Sequence, residues 1–382
     1  MQPSEAVAGI VRSALGPALG DPVLVAAAVV VVAAVGLGAW LVVRRYRRSA
    51  GTAVQRALGG HDRVTLLLHP NPDPDAMAAA MGLAELATNA GTETEICYPG
   101  EIRHHENRAF RTVLELDATS IERRSQLADA VVLVDHNEAR GFQGAGDVDP
   151  IAVIDHHPGD GAGQSFTDIR PEYGACATIV VEYLQERGFD LAGVSEPAIS
   201  ESTATGLLYG IFSDTSHLTR GPTAAEFAAS AALYPGVDED LLDRVANPSV
   251  DAEVLEIKAR AIENRTVRAP FVVSRVGALS NVDAIPQAAD ELLHLEGSTA
   301  VVVMGRKNGT LHLSGRSRDD RVHMGQTLAT VVEDIPMASA GGHARMGGGQ
   351  LSVEHMEGLG PSAGVSETDL TERLFAAMAG EE

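Results

Sequence analysis

One pattern constrains this chain more than any other, and it first occurs between Val64 and Met81, VTLLLHPNPDPDAMAAAM. The apolar run Val64 to Leu68 predicts a buried strand, and the alanine-rich stretch Ala76 to Leu86 predicts a helix. Between them stand His69, Asp73 and Asp75, with Pro72 and Pro74 interspersed. Proline pushes the residue before it toward extended geometry. Positions two apart in an extended chain share a side, so 69, 73 and 75 are expected to face one way. One imidazole and two carboxylates at the carboxyl end of a strand suit a divalent cation, and open α/β sheets bind ligands at that edge. Read alone, the stretch also fits a polar loop whose aspartates cap the next helix.

The pattern recurs. Ala130 to Val134 is a second buried run and ends in Asp135-His136-Asn137; Ile151 to Ile154 is a third and ends in Asp155-His156-His157. A fourth acid, Asp214, closes the predicted helix Ser200 to Phe212. Each has a plain structural reading as a loop acid, a helix-end acid or a structural histidine pair. If the strands are parallel neighbours, the first three ends converge, and the set suits two divalent ions sharing a carboxylate.

The order of the other elements supports that geometry. Thr94 to Cys97 reads as a strand, and Tyr173 to Arg187, Thr223 to Leu233 and Glu239 to Val245 read as helices. The alternation predicts an α/β domain over residues 50–248, a mostly parallel sheet with helices on both faces. Asn247-Pro248 breaks the pattern. A connecting helix, Ala252 to Arg265, falls in a linking segment 249–269, and a smaller α/β domain is expected over 270–358. Its strands are Phe271 to Val276, Thr299 to Met304 and Thr310 to Gly315, the last two joined by a turn at Asn308-Gly309. Val322 to Val332 reads as a helix. The glycine-rich stretch Ala340 to Gly349 leads to a last strand, Gln350 to Val353. Residues 359–382 form an acidic tail in which Ser366-x-x-Asp369 resembles a capping box opening a terminal helix.

Residues 1–49 differ in character. Pro22 to Val43 carries no charge and is long enough to span a bilayer. Arg44, Arg45, Arg47 and Arg48 follow, with Trp40 and Tyr46 near the boundary. The expectation is one transmembrane helix at about 22–43, in the cell membrane as a single pass with the rest cytoplasmic. A cleaved signal peptide is the alternative. The length of the run and the arginines at the cleavage position argue against it.

Charge narrows the partners. Asp and Glu number 52 against 29 Lys and Arg, a formal charge of −23. The only lysines are Lys258 and Lys307. Such a surface suggests a high-salt cytoplasm, with an ordinary acidic protein as the alternative. It also argues against a long nucleic-acid track, which needs a basic stripe, and favours a small phosphorylated ligand. Cys97 and Cys176 form no CxxC and fit a reducing compartment.

At this point the chain resembles a known family. HPNPDPDA, VDHN, VIDHHP and GIFSDT look like the four successive motifs of the DHH phosphoesterases, and SGRSR with GGHARMGGG looks like the accessory DHHA1 substrate domain. The resemblance covers about residues 62–356. Two features depart from the family pattern: Pro74 stands where glycine is frequent, and Met346 and Gly347 where alanines are usual. The resemblance implies two divalent cations, usually Mn2+. One would be bound by His69, Asp73 and Asp135, the other by Asp75, Asp135, His156 and Asp214. Asp155 and His157 would act from close by. Arg316, Ser317, Gly341, Gly342, His343 and Arg345 would contact substrate, inside a basic island with Arg306, Lys307, Arg318 and Arg321, and the cleft between the domains would hold it. The metals would activate water for in-line attack on phosphorus.

The expected function is therefore hydrolysis of phosphoester bonds in short nucleotides such as nanoRNA, pApA, phosphoadenosine phosphate or cyclic di-AMP, at the membrane. A RecJ-like single-strand exonuclease and a non-catalytic nucleotide sensor are the alternatives. Inorganic pyrophosphatases share the first domain, but the GGH element argues against them. Homodimerisation is left open.

Overall fold

The computed structural model describes residues 49–319, 321–356, 358 and 364–381. The predicted span at 22–43 lies outside the described residues. Among those described, no helix is long and apolar enough to cross a membrane. The described residues divide into two compact units, one up to Pro248 and one from Ser249 onward.

In the first unit, helix α1 (Ala50–Leu58) precedes strand β1 (Arg63–Leu67), α2 (Pro74–Asn89), β2 (Glu93–Pro99), α3 (His105–Val113) and β3 (Ala118–Ile121). Then come β4 (Ala130–Val134), β5 (Ala152–Asp155), β6 (Phe166–Ile169), α4 (Cys176–Glu186), α5 (Glu201–Asp214), α6 (Ala224–Leu233) and α7 (Glu239–Ala246). All six strands are parallel, in the order β3-β2-β1-β4-β5-β6. β1 and β4 are central and wholly apolar over their buried length apart from Thr65, as a strand covered on both faces requires. The chain runs outward from β1 on one side and from β4 on the other, so the order reverses between them. Such a switch point opens a crevice at the carboxyl ends of the two strands.

The two faces are covered differently. Val64, Leu66, Val132, Val134 and Ile154 pack with the buried side chains of α1 to α7. Leu67, Val131, Leu133 and Val153 point the other way and pack under Leu127, Ala139, Phe142 and Val148, which belong to connecting segments. The expectation of helices on both faces is thus corrected. The links from β3 to β4, β4 to β5 and β5 to β6 contain no α-helix, so loops cover that face.

Helix α2 is packed unusually close. Ala76, Ala78, Ala79 and Ala80 are fully buried, and α5 approaches through Gly210. A β-carbon at Gly210 would lie 2.9 Å from Ala78 Cβ and 3.2 Å from Asp75 Cα. Small residues on both helices therefore bring the carboxyl end of α5 to the amino end of α2.

The second unit holds α8 (Ala252–Glu263), β7 (Arg265–Arg268), β8 (Phe271–Ala278), α9 (Ala284–Leu293), β9 (Ala300–Lys307) and β10 (Thr310–Ser317). It continues with α10 (Met324–Val332), β11 (Ser339–Gly342), β12 (Met346–Ser352), a short α11 (Val353–Met356) and α12 (Glu367–Ala379). Its six-stranded sheet has the order β11-β12-β10-β9-β8-β7, antiparallel except between β8 and β9. Here helices do cover both faces: α10 and α12 pack on one, α8 and α9 on the other. Asn308 and Gly309 both take positive φ (49° and 77°), which a two-residue hairpin turn requires.

Two expectations change in this unit. The glycine-rich stretch is itself a β-hairpin, β11 paired with β12, rather than a lead into a strand. The terminal helix expected after the Ser366–Asp369 capping box is present as α12, but it is no separate tail: Leu370, Leu374, Phe375 and Met378 are buried in the core of this unit. Charge at the helix surface hid an apolar stripe at helical spacing.

Candidate metal centre

The crevice between β1 and β4 gathers the side chains singled out by the sequence. His69 follows β1. Its Nδ1 lies 3.1 Å from the Pro70 carbonyl, and its Nε2 lies 3.5 Å from Asp73 Oδ2 and 3.6 Å from Asp135 Oδ2. Asp73 is the N-cap of α2, accepting the Ala76 N–H through Oδ1, while Oδ2 faces His69. The capping reading of this residue is realised through Oδ1, which leaves Oδ2 free of the cap and turned toward His69.

Asp75 behaves differently from expectation. Pro74 begins α2 instead of prolonging an extended loop, since proline suits a first helical position. Residues 73 and 75 are therefore set by a helix start and not by strand alternation. Asp75 is fully buried and accepts the N–H groups of Cys176 (2.6 Å) and Ala177 (2.8 Å) at the amino end of α4. Its Oδ2 also lies 3.8 Å from His156 Nε2.

Asp135 sits at the centre. It follows β4 with φ +61°, a left-handed conformation that costs a non-glycine residue energy and is often found at functional sites. Its Oδ1 lies 3.3 Å from His156 Nε2 and 3.7 Å from His157 Nδ1. His156 Nε2 is also 3.4 Å from Asp214 Oδ2, and its Nδ1 is 3.2 Å from the Tyr173 carbonyl. Three donor groups result: His69/Asp73/Asp135, Asp75/His156/Asp214 and Asp135/His156/His157. Both oxygens of Asp135 and Nε2 of His156 are buried and make no hydrogen bond. Unsatisfied polar atoms in a core cost free energy, and divalent cations would satisfy all three.

Protonation fits the same picture. Burial works against a charged His69, but Asp135 and Asp73 outweigh it and hold the imidazole up, at about 10. His156 is likewise opposed by burial and raised to about 12 by Asp135 and Asp214. Burial and Asp214 push Asp75 well up, and burial pushes Asp214 up to about 6. Without cations, protons neutralise a cluster of carboxylates that could not otherwise share so small a volume.

Asp155 and His157 form a hydrogen-bonded pair at the edge of these groups. Asp155 is fully buried, and its Oδ1 accepts from the His157 backbone N–H and lies 2.9 Å from His157 Nδ1. Its Oδ2 accepts from Asn137 Nδ2 at 2.6 Å. The imidazole is thereby fixed with Nε2 directed away from Asp155, on a half-exposed side chain. Sequence reasoning passed over Asn137, although it stands two residues after Asp135. His136 is also buried, with Nδ1 2.9 Å from the Val134 carbonyl, and burial lowers it to about 4. It supports the floor as a neutral ring.

In the second unit, the arginines expected to form a basic island are largely engaged. Arg316 pairs with Asp290 (2.6 Å), Arg306 with Glu367 (2.6 Å) and Arg321 with Asp319 (2.6 Å), while Arg318 donates to the Leu293 carbonyl. Ser317 is buried, with Oγ donating to the Asp319 carbonyl. Gly341 and Gly342 pair with Gly348 and Gly347. Carbonyls of His343 and Ala344 accept the N–H groups of Gly325 and Met324, and the Arg345 carbonyl accepts that of Ser317. A β-carbon on Gly325 would lie 2.3 Å from Gly342. The glycines thus let α10 press against the hairpin. His343 and Arg345 are exposed at its turn.

A parallel α/β domain with a buried carboxylate among imidazoles at its switch point defines a protein with a candidate divalent-metal centre. Residues 63–211 match the DHH family, N-terminal domain, and residues 268–359 match the DHHA1 domain. The chain belongs to this DHH/DHHA1 family. It is 36% identical over 265 residues to an uncharacterized protein of Methanocaldococcus jannaschii, covering 69% of this chain and 54% of that one. It is 34% identical over 174 residues to a probable manganese-dependent inorganic pyrophosphatase of Deinococcus radiodurans, covering 44% and 51% respectively. The chain thus spans about half the length of these relatives. An exopolyphosphatase-related protein from Bacteroides fragilis shares the fold, with TM-score 0.60 and 15% identity over 85% of this chain and 94% of that one.

Proposed function

We propose that this protein hydrolyses phosphoester bonds of short nucleotides with two divalent cations, manganese being the ion named for the Deinococcus relative. The observation that carries the reading is Asp135, buried and unsatisfied at both oxygens between His69 and His156. One ion would be held by His69, Asp73 and Asp135, the other by Asp75, Asp135, His156 and Asp214. When bound, such ions polarise phosphoryl oxygens and make water acidic enough to attack at neutral pH. Asp155, fixed by Asn137, holds the His157 ring. The outward Nε2 of His157 then donates a hydrogen bond to a phosphoryl oxygen or a proton to the leaving oxygen.

The DHHA1 domain supports a nucleotide over bare pyrophosphate, and the net charge of −23 supports a small substrate over a long strand. The apolar run 22–43 and its four following arginines support a single-pass anchor with the catalytic part cytoplasmic. Membrane fractionation of chains with and without residues 1–48 tests that anchor.

The test of activity is a panel with the whole chain, Mn2+ and molar KCl: cyclic di-AMP, pApA, phosphoadenosine phosphate, RNA di- to pentamers, longer DNA and pyrophosphate. Fastest turnover of the short nucleotides is expected. Turnover of pyrophosphate alone would replace the reading with that of the Deinococcus relative. Retained function in cells for a hydrolytically dead Asp135→Asn variant would favour a sensor.

A further inference from the structure

His156 is aimed by the backbone carbonyl of Tyr173, and the Tyr173 side chain is held beside the guanidinium of Arg170. The Nδ1 atom of His156 lies 3.2 Å from the Tyr173 carbonyl, which leaves Nε2 facing Asp75, Asp135 and Asp214. Tyr173 closes a turn, donating its N–H to the Arg170 carbonyl (3.0 Å), and the Arg170 N–H donates to the carbonyl of Asp155 (2.9 Å). The same segment runs on to Cys176 and Ala177, whose N–H groups hold Asp75. Residues 170–177 therefore orient two members of one donor group.

The side chain of Arg170 locks this segment. Its Nε and Nη2 donate to the two oxygens of Asp168 on β6 (2.9 and 2.7 Å), and Nη1 donates to Glu182 on α4 (2.5 Å). Tyr173 Oη donates to the other oxygen of Glu182 at 2.7 Å, and Tyr183 Oη donates to Asp168 at 2.6 Å. The guanidinium lies 5.1 Å from the Tyr173 ring centroid and 6.0 Å from that of Tyr183. An arginine fork can bridge two carboxylates and stack on rings at once, whereas an ammonium makes point contacts.

We infer that Arg170 is a positioning residue for the cation site of Asp75, His156 and Asp214, acting through Tyr173. The inference rests on the two-cation reading. It goes beyond it by placing control of one cation on a clamp that donates nothing to either. Partners one layer outside a metal set its affinity by fixing the ligand's orientation.

The test is Mn2+ titration of the metal-stripped whole chain, followed by calorimetry and by electron paramagnetic resonance of free Mn2+. The wild type is expected to bind two ions. In Arg170→Leu one binding step should weaken by at least roughly tenfold and the other stay within twofold. Arg170→Lys should recover only part of the loss. Removing the guanidinium strands Asp168 and Glu182, so Tyr173→Phe provides a milder variant: it keeps the carbonyl and loses the phenol bond to Glu182, and a smaller weakening of the same step is expected. Circular dichroism and the thermal midpoint identify folded variants. If folded variants bind both ions as the wild type does while only the midpoint drops, the clamp is merely structural and the inference fails. If the wild type binds no second ion, the two-cation reading itself fails.

Discussion

Asp135 Oδ1 lies 3.3 Å from His156 Nε2, and both atoms are buried without a hydrogen bond. Two segments 21 positions apart, each ending a parallel strand, are thus brought face to face in a contact that satisfies neither without a further charge. Replacing Asp135 by Asn removes the charge common to both proposed cation sites. Mn2+ affinity is expected to fall by more than about 100-fold, the upper end seen for losing mere outer partners, with phosphoester turnover falling at least as much. Equilibrium dialysis and an initial-rate assay check it.

Cation uptake should depend steeply on pH. In the metal-free protein His69 is held up at about 10 and His156 at about 12, so both carry protons at neutral pH. A cation must displace those protons, so affinity rises with pH. Calorimetry in buffers of different ionisation enthalpy should show at least about two protons released per protein, from the two imidazoles and from the buried Asp75 carboxyl that burial holds up. Metal-free stability should move the opposite way. Groups with raised folded values bind more protons folded than unfolded, so stability falls as pH rises. The windows run from 3.8 to about 6 for Asp214 and from 6.5 to about 10 for His69. Urea midpoints at pH 5, 7 and 9, in EDTA, test the sign.

The two aspartates of the first motif should separate in stability. Asp73→Ala removes one cap from α2 and should cost about 1 kcal/mol. Asp75→Ala strands two buried N–H groups at the start of α4, each worth about 1–3 kcal/mol. It should therefore cost clearly more in metal-free urea melts, although the loss of a buried carboxylate beside Asp214 offsets part of this.

His157→Ala should reduce kcat by about 10²–10⁴-fold while leaving Mn2+ affinity nearly intact, as for a lost general acid. Asn137→Ala frees Asp155 Oδ2 and should produce a smaller fall in kcat with the same metal affinity. Steady-state kinetics beside Mn2+ titration separates these from the ligand variants.

Gly210→Ala should destabilise, although alanine ordinarily favours a helix by about 0.5–1 kcal/mol over glycine. Its methyl group would meet Ala78 Cβ at 2.9 Å, and such overpacking costs about 1–3 kcal/mol. A shift of α5 would also carry Asp214 away from His156. A lower urea midpoint together with weaker Mn2+ binding is the expected result.

How much of this was legible varies by residue. The strands ending at His69, Asp135 and Asp155 were visible because a buried parallel strand is a bare apolar run and a polar residue at its end stands out. β3 and β6 were missed: each is four residues long, and β6 (FTDI) is polar at its two middle positions. Helix α3 was missed because its run His105–Val113 buries only Asn107 and Phe110. The basic island was legible as composition, yet its acid partners are distant in sequence, Asp290 lying 26 positions before Arg316 and Glu367 61 positions after Arg306, out of reach of local reasoning.

The sequence by itself determined which side chains could meet a cation and that they stand at the ends of strands, because residue chemistry and apolar runs are local properties. It did not determine the strand order that sets β1 against β4, the capping of α4 by Asp75, or the clamp around Arg170. Those depend on contacts between segments far apart in the chain. Only the packed fold, through close approaches such as Gly210 on Ala78, decides which distant groups share one small volume.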